Sequence, residues 1–223
     1  MCRGARSAEQ DFATLVSQLG SSLYLERFLA HGSASLPPRM VRRMPHLQCW
    51  RGLPQFQRDL GAFAGQPAEL PDYCFGQSAA LIGFAADCLA QAARRVLITD
   101  LEWPVYRQHV ERVAKRREIQ VVSVPLRDRV LRDGMTADEV VQTVVGRFEE
   151  ADCDGVFLSD VTYHGVRMPV HRILAQIGST CRFSVVDGAQ AFNQRPVDIG
   201  KLQCDLFLTG TQKWFCSYYP LRI

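Results

Sequence analysis

From residue 78 onward the sequence alternates between segments of helical periodicity and short runs of β-branched and apolar residues. The helical segments include Ser78–Ala93, Tyr106–Lys115 and a helix that the capping box Thr136/Glu139 opens and that runs to about Glu150. Alternation of this kind requires crossover connections, so it predicts an α/β fold with a mainly parallel sheet. Ligands of such sheets bind beyond the carboxyl ends of the strands. The predicted strands are Val96–Thr99, Ile119–Val124, Val156–Ser159, Phe183–Val186 and Leu206–Thr209.

The region before this alternation has a different pattern. Apolar spacing predicts a helix after Ser7 that stops at Gly20, a short basic helix over Arg39–Met44, and another helix over Gln55–Phe63. We therefore expect two parts, an N-terminal helical and loop segment over residues 1–50 and a large domain over residues 51–223.

Composition excludes several classes of protein. With 47% hydrophobic and 22% charged residues, the chain is neither disordered nor fibrous, and a net charge of +3 gives no reason to expect a nucleic-acid or membrane partner. No apolar stretch is long enough to span a bilayer. The eight cysteines are scattered without a C-x-x-C pair, which predicts reduced thiols, no metal site and a cytoplasmic location.

Polar residues follow three of the predicted strands. Trp103 follows the first strand, Asp187 ends the fourth, and Lys213 follows the fifth. Upstream, Phe75–Ala79 is a small-residue turn that opens a helix, whose N–H groups and dipole favour a phosphate. Each feature alone is common in loops and caps. Together they match what pyridoxal phosphate needs, namely an imine-forming lysine, an acid for the pyridine nitrogen, a phosphate-binding helix end and an aromatic over the ring.

A longer pattern, VVDGAQAFNQRPVDIGKLQCDLFLTGTQKW, occupies residues 185–214. It resembles the class V aminotransferase family of fold-type I pyridoxal-phosphate enzymes, which includes the cysteine desulfurases and isopenicillin N epimerase. The loop FLAHGSASLPPRMV, residues 28–41, is similar to the family's N-terminal segment. The resemblance implies a three-layer αβα large domain, pyridoxal 5'-phosphate as the cofactor and a homodimer in the full-length protein.

The same resemblance implies roles for individual residues. Lys213 corresponds to the lysine that forms the internal aldimine and shuttles the proton, and Asp187 to the acid that pairs with the pyridine nitrogen. Gln190 and Thr162 correspond to groups near the phenolic oxygen of the cofactor, and Trp103 to the residue stacked on its ring. The phosphate would be held by Gln77, Ser78, Ala79, Thr211 and Gln212, and the substrate would lie near His31 and His164.

Some features depart from the family pattern. Gln212 stands where many members have a histidine before the lysine. Trp103 replaces the histidine of the desulfurases, which removes a proton carrier from that position. The chain stops at Ile223, ten residues after Lys213, whereas the family continues through the rest of the large domain and a C-terminal small domain. We therefore expect a large domain that is truncated after the lysine and lacks the small domain.

These observations predict a pyridoxal-phosphate-dependent transferase or lyase that acts on an amino acid or amine through an aldimine at Lys213. Two alternatives stay open. One is a cysteine desulfurase or carbon–sulfur lyase, and the other is a non-catalytic, truncated remnant of such an enzyme. The groups that select among transamination, elimination and epimerisation lie mostly outside this sequence.

Overall fold

The computed structural model describes residues 53–67, 78–210 and 213. The chain divides into two compact units, Met1–Gly76 and Gln77–Ile223. In the first unit, the described residues form helix α1 (Leu53–Phe63), which agrees with the helix predicted there. The helices predicted after Ser7 and over residues 39–44 lie outside the described residues. The predicted domain boundary at residue 50 stays a prediction.

The second unit contains a sheet of five parallel strands. The order across the sheet is β2-β1-β3-β4-β5, so β1 is flanked by the strand that follows it and by β3. All five strands fall within one residue of their predicted positions. Their bounds are β1 (Arg95–Thr99), β2 (Gln120–Val124), β3 (Gly155–Ser159), β4 (Phe183–Asp187) and β5 (Leu206–Leu208).

Six α-helices are described in the second unit, in addition to a 3₁₀ turn at Gly178–Thr180. The predicted capping box is present, since the Thr136 hydroxyl accepts from the Glu139 N–H and the Glu139 carboxylate accepts from the Thr136 N–H. The helices are α2 (Ser78–Ala92), α3 (Pro104–Arg117), α4 (Arg127–Leu131), α5 (Ala137–Glu150), α6 (Val170–Ile177) and α7 (Ile199–Leu202).

The helices cover both faces of the sheet and give the predicted three-layer α/β arrangement. Helix α2 packs against β3, β4 and α3. On the other face, α5 and α6 pack over a core that includes Leu97, Val156 and Val186 from three strands. Because β3 and β4 are covered on both faces, their residues are almost continuously apolar rather than alternating. In the part of the chain that the structure describes, no helix combines the length and hydropathy needed to cross a bilayer.

Two short helices were not predicted. Helices α4 and α7 have five and four residues, too few for an apolar period to repeat. Helix α7 begins instead at a local cap, where the Asp198 carboxylate accepts from the Lys201 N–H at 3.1 Å. Helix α3 starts at Pro104, two residues before its predicted start, because proline suits the first helical position.

Candidate functional site

The carboxyl ends of β3 and β4 bring an acidic side chain to the edge of the sheet. Asp187 is the last residue of β4 and is paired in register with Ser159, the last residue of β3. Its carboxylate accepts a hydrogen bond from the Ala189 N–H at 2.9 Å, which fixes its orientation in the turn that follows. Asp187 is only 7% exposed. A buried carboxylate with one backbone donor retains accepting capacity for a ligand.

Electrostatics at Asp187 are set by burial and by the lysine beyond β5. Burial raises the pKa of Asp187 from 3.8 to about 6, whereas the Ala189 N–H and the positive charge of Lys213 lower it. The Lys213 side chain is exposed. The charge of Lys213 therefore acts on Asp187, and the assignment of both residues to one site stays a prediction.

A small cleft opens beside Asp187. Ser78 at the start of α2 and Thr209 and Gly210 after β5 line it together with Asp187. The Thr209 hydroxyl is buried and has no hydrogen-bond partner among the described residues. Because an unpartnered buried hydroxyl is costly, it marks a place for a polar ligand atom. The other lining residues are Leu81, Ile82, Tyr106, Ala189 and Leu208.

Gly188 allows the chain to turn tightly after Asp187. The Gly188 N–H donates to the Leu208 carbonyl at 2.7 Å, and its own carbonyl accepts from Phe192 at 2.8 Å. A Cβ at this position would lie 1.9 Å from the Phe207 ring. The turn that orients Asp187 therefore requires a residue without a side chain.

A second buried carboxyl group lies next to this site and was not assigned a role from the sequence. Glu102 is 2% exposed. Its Oε1 accepts from the Ser159 N–H at 3.1 Å and from the Thr99 hydroxyl at 3.0 Å. Its Oε2 forms a hydrogen bond with the Ser159 hydroxyl. Burial, and to a smaller extent the nearby charge of Asp187, raise the pKa of Glu102 to about 7, although the hydrogen bonds from Ser159 and Thr99 lower it.

Three aromatic side chains form an exposed cluster at the same end of the sheet. Trp103 directly precedes α3 and is 45% exposed. Its ring meets the edge of Tyr163 at 5.1 Å between centroids, and the Tyr163 ring lies 3.8 Å from that of His164. Trp103 and His164, which the sequence suggested separately, are thus linked through Tyr163. Whether Trp103 stacks on a cofactor and His164 meets a substrate stays a prediction.

The remaining predicted site residues are distributed as follows. Thr162 is fully buried, and its hydroxyl accepts from the Val166 N–H at 3.2 Å within the turn that ends at Gly165. Gln190 is half-buried in the turn after Asp187, and Ala79 is exposed in the first turn of α2. Four predicted positions lie outside the described residues: His31, Gln77, Thr211 and Gln212.

Glu102 was within reach of sequence reasoning. It lies three residues after a buried strand and beside Trp103, where an acidic side chain in an apolar stretch is unusual. The missing information was its partner, because Ser159 lies 57 residues further along the chain. Thr209 could not be singled out, since only burial distinguishes its hydroxyl from any other.

Comparison with solved structures shows that the fold of this chain is similar to that of several enzymes. The cystine C–S lyase C-DES, in complex with cysteine persulfide, is 17% identical with a TM-score of 0.58 over 96% of this chain and 52% of that one. A cysteine desulfurase from Thermococcus onnurineus is 13% identical with a TM-score of 0.62, over 96% of this chain and 49% of that one. Ureidoglycine-glyoxylate aminotransferase from Bacillus subtilis is 14% identical with a TM-score of 0.59, over 88% and 47%.

The chain spans about half the length of these solved structures, and their similarity shows the fold. None of the curated proteins matches it. The sequence model of the family described as aminotransferase class-V matches residues 76–217, which is more than half of the chain. Pyridoxal 5'-phosphate is the cofactor of this family. With its parallel sheet, its buried strand-end aspartate and this match, the chain belongs to the class V aminotransferase family.

Proposed function

We propose that this protein is a pyridoxal-phosphate-dependent enzyme that acts on an amino acid or amine, with Lys213 as the residue that bonds covalently to the cofactor. The observation that carries the proposal is Asp187, a buried carboxylate at the carboxyl end of a central strand that interacts with Lys213. When bound, the cofactor supplies an electron sink for a carbanion at the substrate.

Asp187 fits the role of partner to the pyridine nitrogen. A cationic ring nitrogen stabilises the ionised form of a carboxylate by a charge-assisted hydrogen bond, which offsets the burial that raises the pKa of Asp187 to about 6. The Ala189 N–H holds one carboxylate oxygen at 2.9 Å and leaves the other to the ligand. Asp187 would thus hold a proton at the ring nitrogen.

The same cleft also contains groups that can bind an anion. Helix α2 begins at Ser78, and its first N–H groups have no partners within the helix. The unpartnered Thr209 hydroxyl lines the same cleft and can donate to an oxygen. These groups, with Ala79 and the predicted residues Gln77, Thr211 and Gln212, would hold the phosphate. Trp103 would exclude water from one face of the ring, with Thr162 and Gln190 near the phenolic oxygen.

Lys213 supplies the amine that bonds to the cofactor and accepts the substrate proton. The chain has two other lysines, Lys115 and Lys201. Lys201 is exposed and forms an ion pair with Asp198 at 2.8 Å, and Lys115 lies on the exposed face of α3. Of the three lysines, only Lys213 interacts with Asp187 through its charge.

The experiment is reconstitution with pyridoxal 5'-phosphate followed by borohydride reduction and peptide mapping. We expect the visible absorption of a lysine-linked cofactor in the wild type and reduced cofactor on the peptide that contains Lys213. Lys213→Ala should abolish this band but retain some noncovalent binding through the phosphate groups. Lys201→Ala is the matched control and should behave as the wild type. Attachment to Lys115 or Lys201 would overturn the assignment.

The two alternatives predict other products. A cysteine desulfurase or carbon–sulfur lyase would release sulfur from cysteine or cystine in a Lys213-dependent reaction. A remnant would bind the cofactor and convert no amino acid or amine. Because the indole of Trp103 cannot carry a proton as an imidazole does, we expect no sulfur release, and detection of persulfide or sulfide would favour the lyase instead.

A further inference from the structure

Glu102 is a buried carboxyl group whose described partners are all uncharged. It is buried against uncharged groups, the hydroxyl of Thr99 at the end of β1 and the N–H and hydroxyl of Ser159 at the end of β3. No arginine, lysine or histidine among the described residues pairs with it. The charged group that faces it is Asp187 at the end of β4, which is of the same sign. An isolated buried carboxylate beside another carboxylate is strongly unfavourable.

Burial and the neighbouring carboxylate favour a proton on this group. Oε1 accepts from the Ser159 N–H and the Thr99 hydroxyl, and Oε2 accepts from the Ser159 hydroxyl. These three donors favour the ionised form, but Glu102 is only 2% exposed and a second negative charge beside Asp187 is costly. A proton on Glu102 removes that second charge.

Glu102 lies where two parts of the site meet. Its neighbour in sequence, Trp103, begins the segment that leads into α3. Its partner Ser159 is paired in register with Asp187. The contact also lies between β1 and β3. From β1 the chain continues to β2 on one side of this point, and from β3 it continues to β4 and β5 on the other. Ligands of α/β sheets bind at such switch points.

We propose that Glu102 is a positioning residue that works as a neutral carboxylic acid, fixing the end of β1 beside Trp103 to the end of β3 beside Asp187. The inference rests on the proposed function for the roles of Trp103 and Asp187. It leaves the negative charge of this pair of carboxyl groups to Asp187, where the cationic ring nitrogen of the cofactor would use it.

The first test measures thermal unfolding of the cofactor-free protein between pH 5 and pH 8. Burial raises the pKa of Glu102 from 4.5 to about 7, so the folded state retains the proton more tightly than the unfolded state. Stability is therefore fully present below pH 4.5 and is lost as the pH rises through 7. We expect the wild-type midpoint to fall by about 5 °C or more over this range. Glu102→Gln should remove much of this fall, because an amide keeps the contacts and cannot ionise.

The matched control is Glu111→Gln, which changes an exposed glutamate paired with Arg107 on α3 and should keep the wild-type profile. Ser159→Ala removes a hydroxyl that lowers the pKa of Glu102, so the fall in stability should move to higher pH. If Glu102→Gln or Ser159→Ala followed the wild-type profile, Glu102 would not be a neutral acid and the inference would be overturned.

The second test measures the dissociation constant for pyridoxal 5'-phosphate by absorbance titration at pH 7. Glu102→Gln should bind as the wild type does, and Glu102→Ala should bind about tenfold more weakly, because two strand-end partners lose their acceptor. Equal binding by both variants would overturn the positioning role alone. A wild type that bound no cofactor would overturn the proposed function and the positioning role together, and the pH profiles would still decide the protonation of Glu102.

Discussion

Two buried acidic residues at opposite ends of the parallel sheet, Asp154 and Asp187, are used in different ways. At the amino ends, Asp154 accepts from the backbone N–H groups of Arg94 and Arg95 at 2.7 and 2.8 Å. Its other oxygen lies 3.6 Å from the Arg94 guanidinium and 3.9 Å from that of Arg182. At the carboxyl ends, Asp187 has one backbone donor and no arginine partner among the described contacts.

This comparison distinguishes acidic residues whose carboxylates connect neighbouring strands from acidic residues whose carboxylates can still accept a hydrogen bond from a ligand. Asp205 repeats the first arrangement, since its carboxylate accepts from both the N–H and the hydroxyl of Ser184 at the start of β4. Asp154 and Asp205 thus direct hydrogen bonds to the backbone of neighbouring strands, and the second oxygen of Asp154 has ion-pair contacts but no hydrogen bond among the described residues. Asp187 and Glu102 instead have raised pKa values, because burial is not fully compensated by partners. Uncompensated burial is typical of functional sites.

Asp187→Asn should have the largest effect, and its loss should fall on turnover. The amide keeps the contact with Ala189 but loses the charge that holds the ring nitrogen protonated, so turnover by the holoenzyme should fall by about a hundredfold or more. Stability of the cofactor-free protein at pH 8 should rise by about 1 kcal/mol, since a buried charge is removed. Unchanged turnover would show that Asp187 is structural, like Asp154.

Asp154→Ala should have the converse effect. Two buried N–H groups lose their acceptor and three strands lose a common contact, so the free energy of unfolding in urea should fall by about 3 kcal/mol. Cofactor affinity, measured well below the unfolding transition, should not change. The control is Asp138→Ala, which removes an exposed ion pair with Arg172 and should cost less than about 1 kcal/mol. Equal costs would contradict the difference between the two ends of the sheet.

The next two substitutions have smaller expected effects. Each replaces a closely packed glycine, Gly155 at the amino ends of the strands and Gly188 at the carboxyl ends. A Cβ at Gly155 would lie 2.6 Å from the Ala93 Cβ, which cannot move without its helix, and a Cβ at Gly188 would meet the Phe207 ring. Gly155→Ala and Gly188→Ala should each cost about 2–3 kcal/mol. Only Gly188→Ala should weaken cofactor binding, because it displaces the turn after Asp187.

Gly146→Ala provides the control for this pair. Gly146 lies in α5 with open space around its Cα, so alanine should stabilise the helix by up to about 1 kcal/mol. A loss of cofactor affinity in Gly155→Ala as large as that in Gly188→Ala would mean that the two ends of the sheet are not independent.

Sequence reasoning reached the strands for a physical reason. β1, β3 and β4 are largely apolar because both faces of the sheet are covered there, and Asp187 and Lys213 were singled out because they lie in a segment whose spacing resembles that of one family. The order of the strands was not accessible, because it depends on which side of β1 each later strand joins. The roles of Asp154 and Glu102 could not be predicted for the same reason, since each side chain contacts residues of another strand.

The strand order has a consequence for how the polypeptide folds. β1 pairs with β2, the next strand in sequence, but its other edge is completed only by β3, which places Val96 beside Gly155. Parallel pairings of this kind are non-local, and chains dominated by them fold slowly, in about milliseconds to seconds. The Glu102–Ser159 contact and the Asp187 turn therefore form late, after the last crossovers close. A nascent chain that ends at β2 contains two strands and lacks Asp187. Synthesis of β3 and β4 is therefore needed both to bury the apolar residues of β1 and to form the candidate site.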